Sequence, residues 1–114
     1  MPYLKLQTNQ ELSKDRKQDL LEDIVSLVSK ELEKPKKYVM ALIEESQMMI
    51  FGSSYEPTAY VEFRSINLPE KRTQALSKSI THFIKSHLDI DASRIFIQFV
   101  NSERHMWGFN ASTF

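Results

Sequence analysis

The second residue of the chain has the most unusual chemistry in the sequence Met1-Pro2-Tyr3. A small second residue normally permits removal of Met1, and Pro2 would then carry the amino terminus. Its nitrogen would be a secondary amine that accepts a proton, provided that an apolar pocket or a nearby cation lowers its pKa. The opening residues therefore raise the hypothesis of a general base at Pro2. The alternative, which residues 1–6 alone favour, is that Pro2 only begins a strand, where its missing N–H does no harm.

The other residue types that carry chemistry are sparse. The chain has no cysteine, which excludes disulfides, a thiol nucleophile and thiolate metal ligands. His82 and His87 fall in one predicted helix and would point about 140° apart, because five residues do not complete a whole number of turns. His105 lies far away in the tail. We therefore expect no metal site.

Length and composition are those of a single globular domain spanning residues 1–114. Fifteen basic and fifteen acidic residues cancel, so no net field draws the chain to nucleic acid or to a membrane surface. No apolar run approaches the roughly 20 residues of a membrane span. The start lacks the basic and apolar regions of a signal peptide. The expected location is cytoplasmic, with non-classical secretion left open.

The first half of the chain predicts a strand, a helix and a second strand. Residues Pro2–Thr8 form the first strand, and Pro35 ends a helix that covers about Ser13–Glu33. Tyr38–Ile43 is the second strand. The helix carries an apolar stripe at helical spacing: Leu20, Ile24, Leu27, Val28 and Leu32.

The second half predicts the same order of elements. Thr58–Ile66 is a strand, a helix begins with Asn67 as N-cap and runs to Leu88, and Ile95–Val100 is the last strand. Glu70 stands at the capping-box position of that helix. Between the halves, Met48–Phe51 is a candidate short strand.

The two halves are related by a shift of 56 residues that needs no gap. The shift places Leu20 on Leu76 in the helices and Val39 on Ile95 in the strands that follow. Register that is kept from helix into strand indicates a tandem β-α-β repeat. Each unit makes a right-handed crossover. The predicted fold class is therefore α+β, with one four-stranded mixed sheet and two helices on one face.

Two helices leave the other face of this sheet uncovered. Residues Val39–Ile43 are apolar at odd and even positions, as are residues Ile95–Val100, so both faces of these strands favour burial. We expect the uncovered face to pack against other copies of the chain. The alternative is that the tail, residues 101–114, covers it together with Met48–Phe51.

At this point the sequence resembles a known family, that of macrophage migration inhibitory factor and D-dopachrome tautomerase in the tautomerase superfamily. The resemblance covers essentially the whole chain and implies a homotrimer of β-α-β-β-α-β subunits. It rests on short motifs in a fixed order: Met1-Pro2, Thr8-Asn9, Lys34-Pro35 followed by Tyr38, Phe51-Gly52-Ser53-Ser54 followed by Glu56-Pro57, Ser65-Ile66, and Gly108–Phe114.

The resemblance also implies an activity, the cofactor-free keto–enol tautomerisation of phenylpyruvate-like and dopachrome-like substrates. Carried over by position, Pro2 is the base that moves the proton. Lys34 would bind the carboxylate of a small aromatic keto acid and help to keep the Pro2 amine neutral. Ile66 would contribute backbone and apolar contacts.

The chain departs from the family at four further pocket positions. Phe96 replaces a tyrosine that lines the pocket from a neighbouring subunit, so a hydroxyl is lost. Gln98 replaces a nearby asparagine, and Phe109 is the aromatic residue at the rim. Trp107 stands where the family residue is usually smaller. These changes predict a narrower aromatic slot.

A second class of function stays open on the sequence alone. The chain would then be a signalling or cytokine-like protein, as animal relatives are, with a weak or vestigial tautomerase pocket. Receptor contacts have no motif that transfers, so the sequence names no receptor partner.

Overall fold

The fold is one mixed sheet with two helices packed on one face. The computed structural model describes all residues from Met1 to Phe114. Its sheet has the order β2-β1-β3-β4, in which β1 is parallel to β2, β3 is parallel to β4, and β1 is antiparallel to β3. This confirms the predicted fold class. The bounds are β1 Tyr3–Thr8, α1 Lys14–Leu32, β2 Met40–Glu44, β3 Ala59–Ile66, α2 Thr73–Leu88 and β4 Ile95–Ser102.

The internal repeat extends to details of the backbone. Both helices end in a left-handed residue, Glu33 with a φ of 53° and Asp89 with a φ of 54°. A short 3-10 turn follows each of them, at Lys36–Tyr38 and at Ala92–Arg94. These pairs all obey the 56-residue shift, so the two β-α-β units are equivalent from helix end to strand start.

The core lies between the helices and the sheet. The buried faces of α1 and α2 pack against alternate residues of β1 and β3. At the start of α1, the Ser13 hydroxyl accepts a 3.1 Å hydrogen bond from the Arg16 backbone N–H, which satisfies one free donor of the first turn. The central core residues are Leu4, Leu6, Ile24, Val28, Val61, Phe63, Leu76, Ile80 and Ile84.

The predicted start of the second helix was wrong. Asn67 is not its N-cap, because it adopts a left-handed φ of 52° and turns the chain out of β3. A 3-10 turn at Glu70–Arg72 precedes α2, which begins at Thr73. The backbone N–H of buried Leu68 donates to the Asn101 side chain at 2.9 Å. This contact with β4 holds the segment in which the local sequence predicted a helix cap.

Two strand predictions also differ from the structure. The second strand begins at Met40, because Lys36–Tyr38 form the 3-10 turn. Residues 48–50 form no strand, and Phe51 makes only an isolated bridge with Ser54. That loop is instead held by Arg94, whose guanidinium donates to four backbone oxygens, those of Phe51, Ser54, Glu56 and Pro57.

The face of the sheet opposite the helices is apolar only at its two edges. Its centre carries polar side chains, among them Lys5 and Glu62, whose charged groups lie 3.6 Å apart. Met40 and Leu42 on edge strand β2 are 66% and 42% exposed, and Phe96 on edge strand β4 is 62% exposed. The expectation of an apolar uncovered face therefore holds for β2 and β4 but not for the strands between them.

The tail folds back over one end of this open face. It forms a two-stranded hairpin, β5 (Gly108–Phe109) with β6 (Ser112–Thr113). Asn110 and Ala111 have positive φ values, as the central residues of a tight hairpin turn require. The tail covers the Pro2 end of the sheet, and Phe51 packs on Phe96 near the other end. Neither helix is long and apolar enough to cross a membrane.

Candidate active site

The amino terminus lies at the end of the sheet where β3 and β4 finish. Pro2 is fully buried, and its carbonyl accepts a 3.0 Å hydrogen bond from the Met40 backbone N–H. This bond extends the pairing of β1 with β2 by one step and fixes the position of Pro2. Met1 is half-buried and precedes Pro2 at this same end.

The α-amino group of the chain has a pKa below its ordinary value. Burial is the larger cause, because it disfavours the charged ammonium, and the positive charge of Lys34 acts in the same direction. Lys34 is held close by the end of α1, where its backbone N–H donates to Ser29 at 3.1 Å and its carbonyl accepts from the Ser29 hydroxyl. This amine is that of Met1, so the end of the sheet next to Pro2 is an environment that favours a neutral amine.

A small cavity of about 210 Å³ lies beside the amino terminus. Lys34 comes from the end of α1, and Ile66 is the last residue of β3. Both line this cavity with Met1, and so do Asn67 and Arg104. The cavity therefore combines an apolar residue, two cations and an amine on one wall.

A larger, open cavity of about 690 Å³ adjoins the other side of the amino terminus. Met1 lines both cavities, and Pro2 lines this one. Removal of Met1 would therefore leave the Pro2 nitrogen at their junction. The tail supplies four of its nine hydrophobic lining residues: Met106, Trp107, Phe109 and Phe114.

Aromatic rings form a continuous wall on this cavity. Tyr38 meets Phe109 edge-on, with ring centres 5.9 Å apart, and Phe109 stacks on Phe114 at 5.1 Å. Both geometries are favourable for aromatic pairs. Phe109 still keeps 49% of its surface exposed. The wall can therefore contact the ring of an aromatic ligand directly.

The structure separates the residues named from the sequence into two groups. It brings together five of them, which are Pro2, Lys34, Ile66, Trp107 and Phe109. Phe96 and Gln98 lie elsewhere on β4. Because Phe96 pairs with Tyr60 and Ser102 pairs with Ile66, Phe96 is six residues from the site, about 20 Å along the strand.

Phe96 and Gln98 have other neighbours within the chain. The Phe96 ring packs against Phe51 with ring centres 4.5 Å apart. The Gln98 side-chain oxygen accepts a 2.7 Å hydrogen bond from the Tyr60 hydroxyl. These two residues reach a site at Pro2 only if it belongs to another copy of the chain.

Several lining residues were not singled out as site residues from the sequence. Tyr38 and Phe114 belong to the motifs that carried the family resemblance, and that signal could have found them. Arg64 lines the larger cavity, but its guanidinium donates to Glu62 at 2.6 Å and is neutralised there. Arg104 had no signal at all, because its place beside Lys34 depends on how the tail folds back. No group of three or more His, Asp or Glu side chains could hold a metal ion.

A β-α-β-β-α-β domain with a buried proline at position 2 and a lysine at the same end of the sheet is the arrangement of the tautomerase superfamily. The family model described as macrophage migration inhibitory factor matches residues 1–114. The chain belongs to the macrophage migration inhibitory factor family.

Relatives from distant organisms agree with this assignment. A solved macrophage migration inhibitory factor homologue from Prochlorococcus marinus has a TM-score of 0.91 and 36% identity, covering 98% of each chain. The structure from Trichinella spiralis has a TM-score of 0.90 and 31% identity, covering 98% of this chain and 99% of its own. The Xenopus tropicalis protein is 32% identical over 96 residues, which are 83% of this chain and 84% of that protein.

Proposed function

We propose that this protein is a cofactor-free keto–enol tautomerase of small aromatic 2-oxo acids of the phenylpyruvate type, with Pro2 as general base. One observation carries the proposal. Pro2 is buried at the junction of an aromatic cavity and a lysine-containing cavity, at the end of the sheet where burial and Lys34 lower the pKa of the Met1 amine. Family membership supports the same chemistry, because tautomerases of this fold use an amino-terminal proline.

The proposed reaction is a proton transfer within one bound molecule. The neutral Pro2 amine removes a proton from the carbon between the ring and the ketone, and the electron pair of that C–H bond forms the C=C bond. The ketone oxygen gains negative charge, and the Pro2 ammonium then returns the proton to that oxygen, which completes the enol and regenerates the neutral amine. Lys34 stabilises the anion electrostatically. The wall formed by Tyr38, Phe109 and Phe114 orients the aromatic ring.

The direct test is the interconversion of phenylpyruvate keto and enol forms, followed by ultraviolet absorbance. The protein should first be shown by intact mass to lack Met1. We expect it to accelerate enolisation well above the buffer rate. A rate equal to that of buffer would reject the tautomerase proposal and favour a signalling role with a vestigial pocket.

We further propose that three copies associate around the open face of the sheet. The apolar residues on that face lie at the two edges, β2 and β4, which are different surfaces. Contact between unlike edges is heterologous, and it forms a ring when the rotation from one copy to the next closes. Membership of the family supports a ring of three subunits, because homotrimers are typical of its members. Phe96 and Gln98 of one subunit would then reach the cavity of its neighbour.

Sedimentation equilibrium at micromolar concentration should give three times the 13.4 kDa chain mass. Leu42→Asp should shift this species toward monomer, because the ring would bury an unpaired carboxylate. Gln74→Asp adds the same charge on the exposed side of α2 and should leave the mass unchanged. A stable monomer of the unmodified chain at this concentration would overturn the trimer.

A further inference from the structure

The small cavity contains a cation that the proposed mechanism does not use. Arg104 lines it together with Lys34, Ile66 and Asn67. No acidic side chain lines this cavity. The site is therefore unusually positive for a chain whose total formal charge is zero.

Neither cation has a protein partner. The ion pairs of the chain include neither Lys34 nor Arg104, and neither side chain makes a hydrogen bond. The acidic neighbour Glu103 lies 3.4 Å from His105 instead. Arg64 in the larger cavity differs, because its guanidinium forms an ion pair with the Glu62 carboxylate. The hydrogen bond from Arg64 holds the pKa of the Glu62 carboxyl below its ordinary value. An unpaired arginine and lysine on one cavity are available to an anionic ligand.

We propose that Arg104 is a second substrate-contacting cation, which with Lys34 makes this site selective for 2-oxo acids over neutral ketones. The inference rests on the proposed tautomerase function. It adds a residue to that function, and it adds selection of the acid against neutral ketones.

The charge of the reacting species explains why two cations fit. A 2-oxo acid carries one negative charge on its carboxylate. When the base removes the proton, the carbonyl oxygen acquires a second negative charge while the amine becomes an ammonium. The planar guanidinium of Arg104 suits the two oxygens of the carboxylate, whereas Lys34 is a compact charge close to the amine. If Arg104 binds the carboxylate, Lys34 is free to face the developing enolate oxygen.

The test compares phenylpyruvate with its neutral methyl ester, using protein that lacks Met1. Arg104→Ala should lower kcat/KM for the acid roughly 10-fold, the low end for a charged hydrogen bond because Arg104 is exposed. The rate with the ester should change less than about 2-fold. Arg104→Lys should recover part of the loss, since it keeps the charge but not the planar pair of donors.

Lys78→Ala is the matched control, because Lys78 is an exposed cation of α2 that lines neither cavity. It removes the same charge and should leave both rates unchanged. If Arg104→Ala lowers the acid and the ester rates equally, or lowers neither, the proposal is wrong. An equal loss from Lys78→Ala would also overturn it, because the effect would then come from total charge.

A binding measurement separates this inference from the proposed function. Trp107 is the only tryptophan and lines the adjoining cavity, so its fluorescence reports on the site. The unreactive probes are 3-phenylpropanoate and its neutral amide. Arg104→Ala should weaken binding of the carboxylate roughly 10-fold and leave the amide unchanged. That result supports the second cation even if no turnover is found, whereas unchanged carboxylate affinity overturns it.

Discussion

Protein that retains Met1 should enolise phenylpyruvate roughly 10²- to 10⁴-fold more slowly than protein that has lost it, which is the range for general-base catalysis. With Met1 attached, the Pro2 nitrogen belongs to a tertiary amide and has no basic lone pair. The Met1 amine is itself perturbed by burial and by Lys34, but it lies one residue away from the position that the proposed base occupies. Its presence should not replace the lost base.

The experiment compares three preparations whose intact masses are known: processed protein, Met1-retained protein and processed Pro2→Gly. Pro2→Gly keeps an amine at the same position, though a primary one, and should keep part of the activity. It therefore distinguishes loss of the base from loss of the proline ring. Equal rates for processed and retained protein would show that Pro2 is not the base.

Lys34→Ala should lower kcat/KM for phenylpyruvate roughly 10- to 100-fold, the value of one or two charged hydrogen bonds. The substitution removes a partner for the anion and also the cation that lowers the pKa of the amine. The fold should persist, because Lys34 follows the end of α1 and is held by backbone contacts. Circular dichroism checks the fold, and initial rates at low substrate give kcat/KM.

The pH dependence of Lys34→Ala provides a second measurement. The base acts when it is unprotonated, so the rate rises with pH through the pKa of the amine. Lys34 lowers the pKa of the Met1 amine, and we expect it to act in the same direction on the Pro2 amine once Met1 is gone. Loss of the Lys34 charge should then raise the pKa of that amine, and the rising limb of the profile should move to higher pH. Lys36→Ala removes an exposed cation outside both cavities and should leave rate and profile unchanged. An unmoved profile and rate in Lys34→Ala would exclude Lys34 from both roles.

The sequence alone determined the two helices, the four strands of the main sheet and the fold class. Periodic apolar residues such as Leu20 and Ile24 identify a helix face because neighbours on a helix recur every three to four residues. The 56-residue repeat then implied two equivalent units. The sequence did not predict the element boundaries that depend on distant contacts, such as the start of α2 at Thr73. Asn67 is a residue type that often caps helices, but here it adopts a left-handed conformation where the chain leaves β3. The next residue, Leu68, donates its backbone N–H to the Asn101 side chain of β4.

The candidate site divides in the same way. Motif order indicated Pro2, Lys34 and Ile66, which belong to a family pattern along the chain. Only the tertiary structure placed Arg104 beside Lys34, because the tail must first fold back over the end of the sheet. It also decided that Phe96 lies about 20 Å along β4 from the end of the sheet that holds Pro2, because parallel pairing with β3 fixes the direction of β4. The spacing of residues along the sequence shows which segments are helices and strands. Which distant segments come into contact depends on how the helices, the strands and the tail pack together.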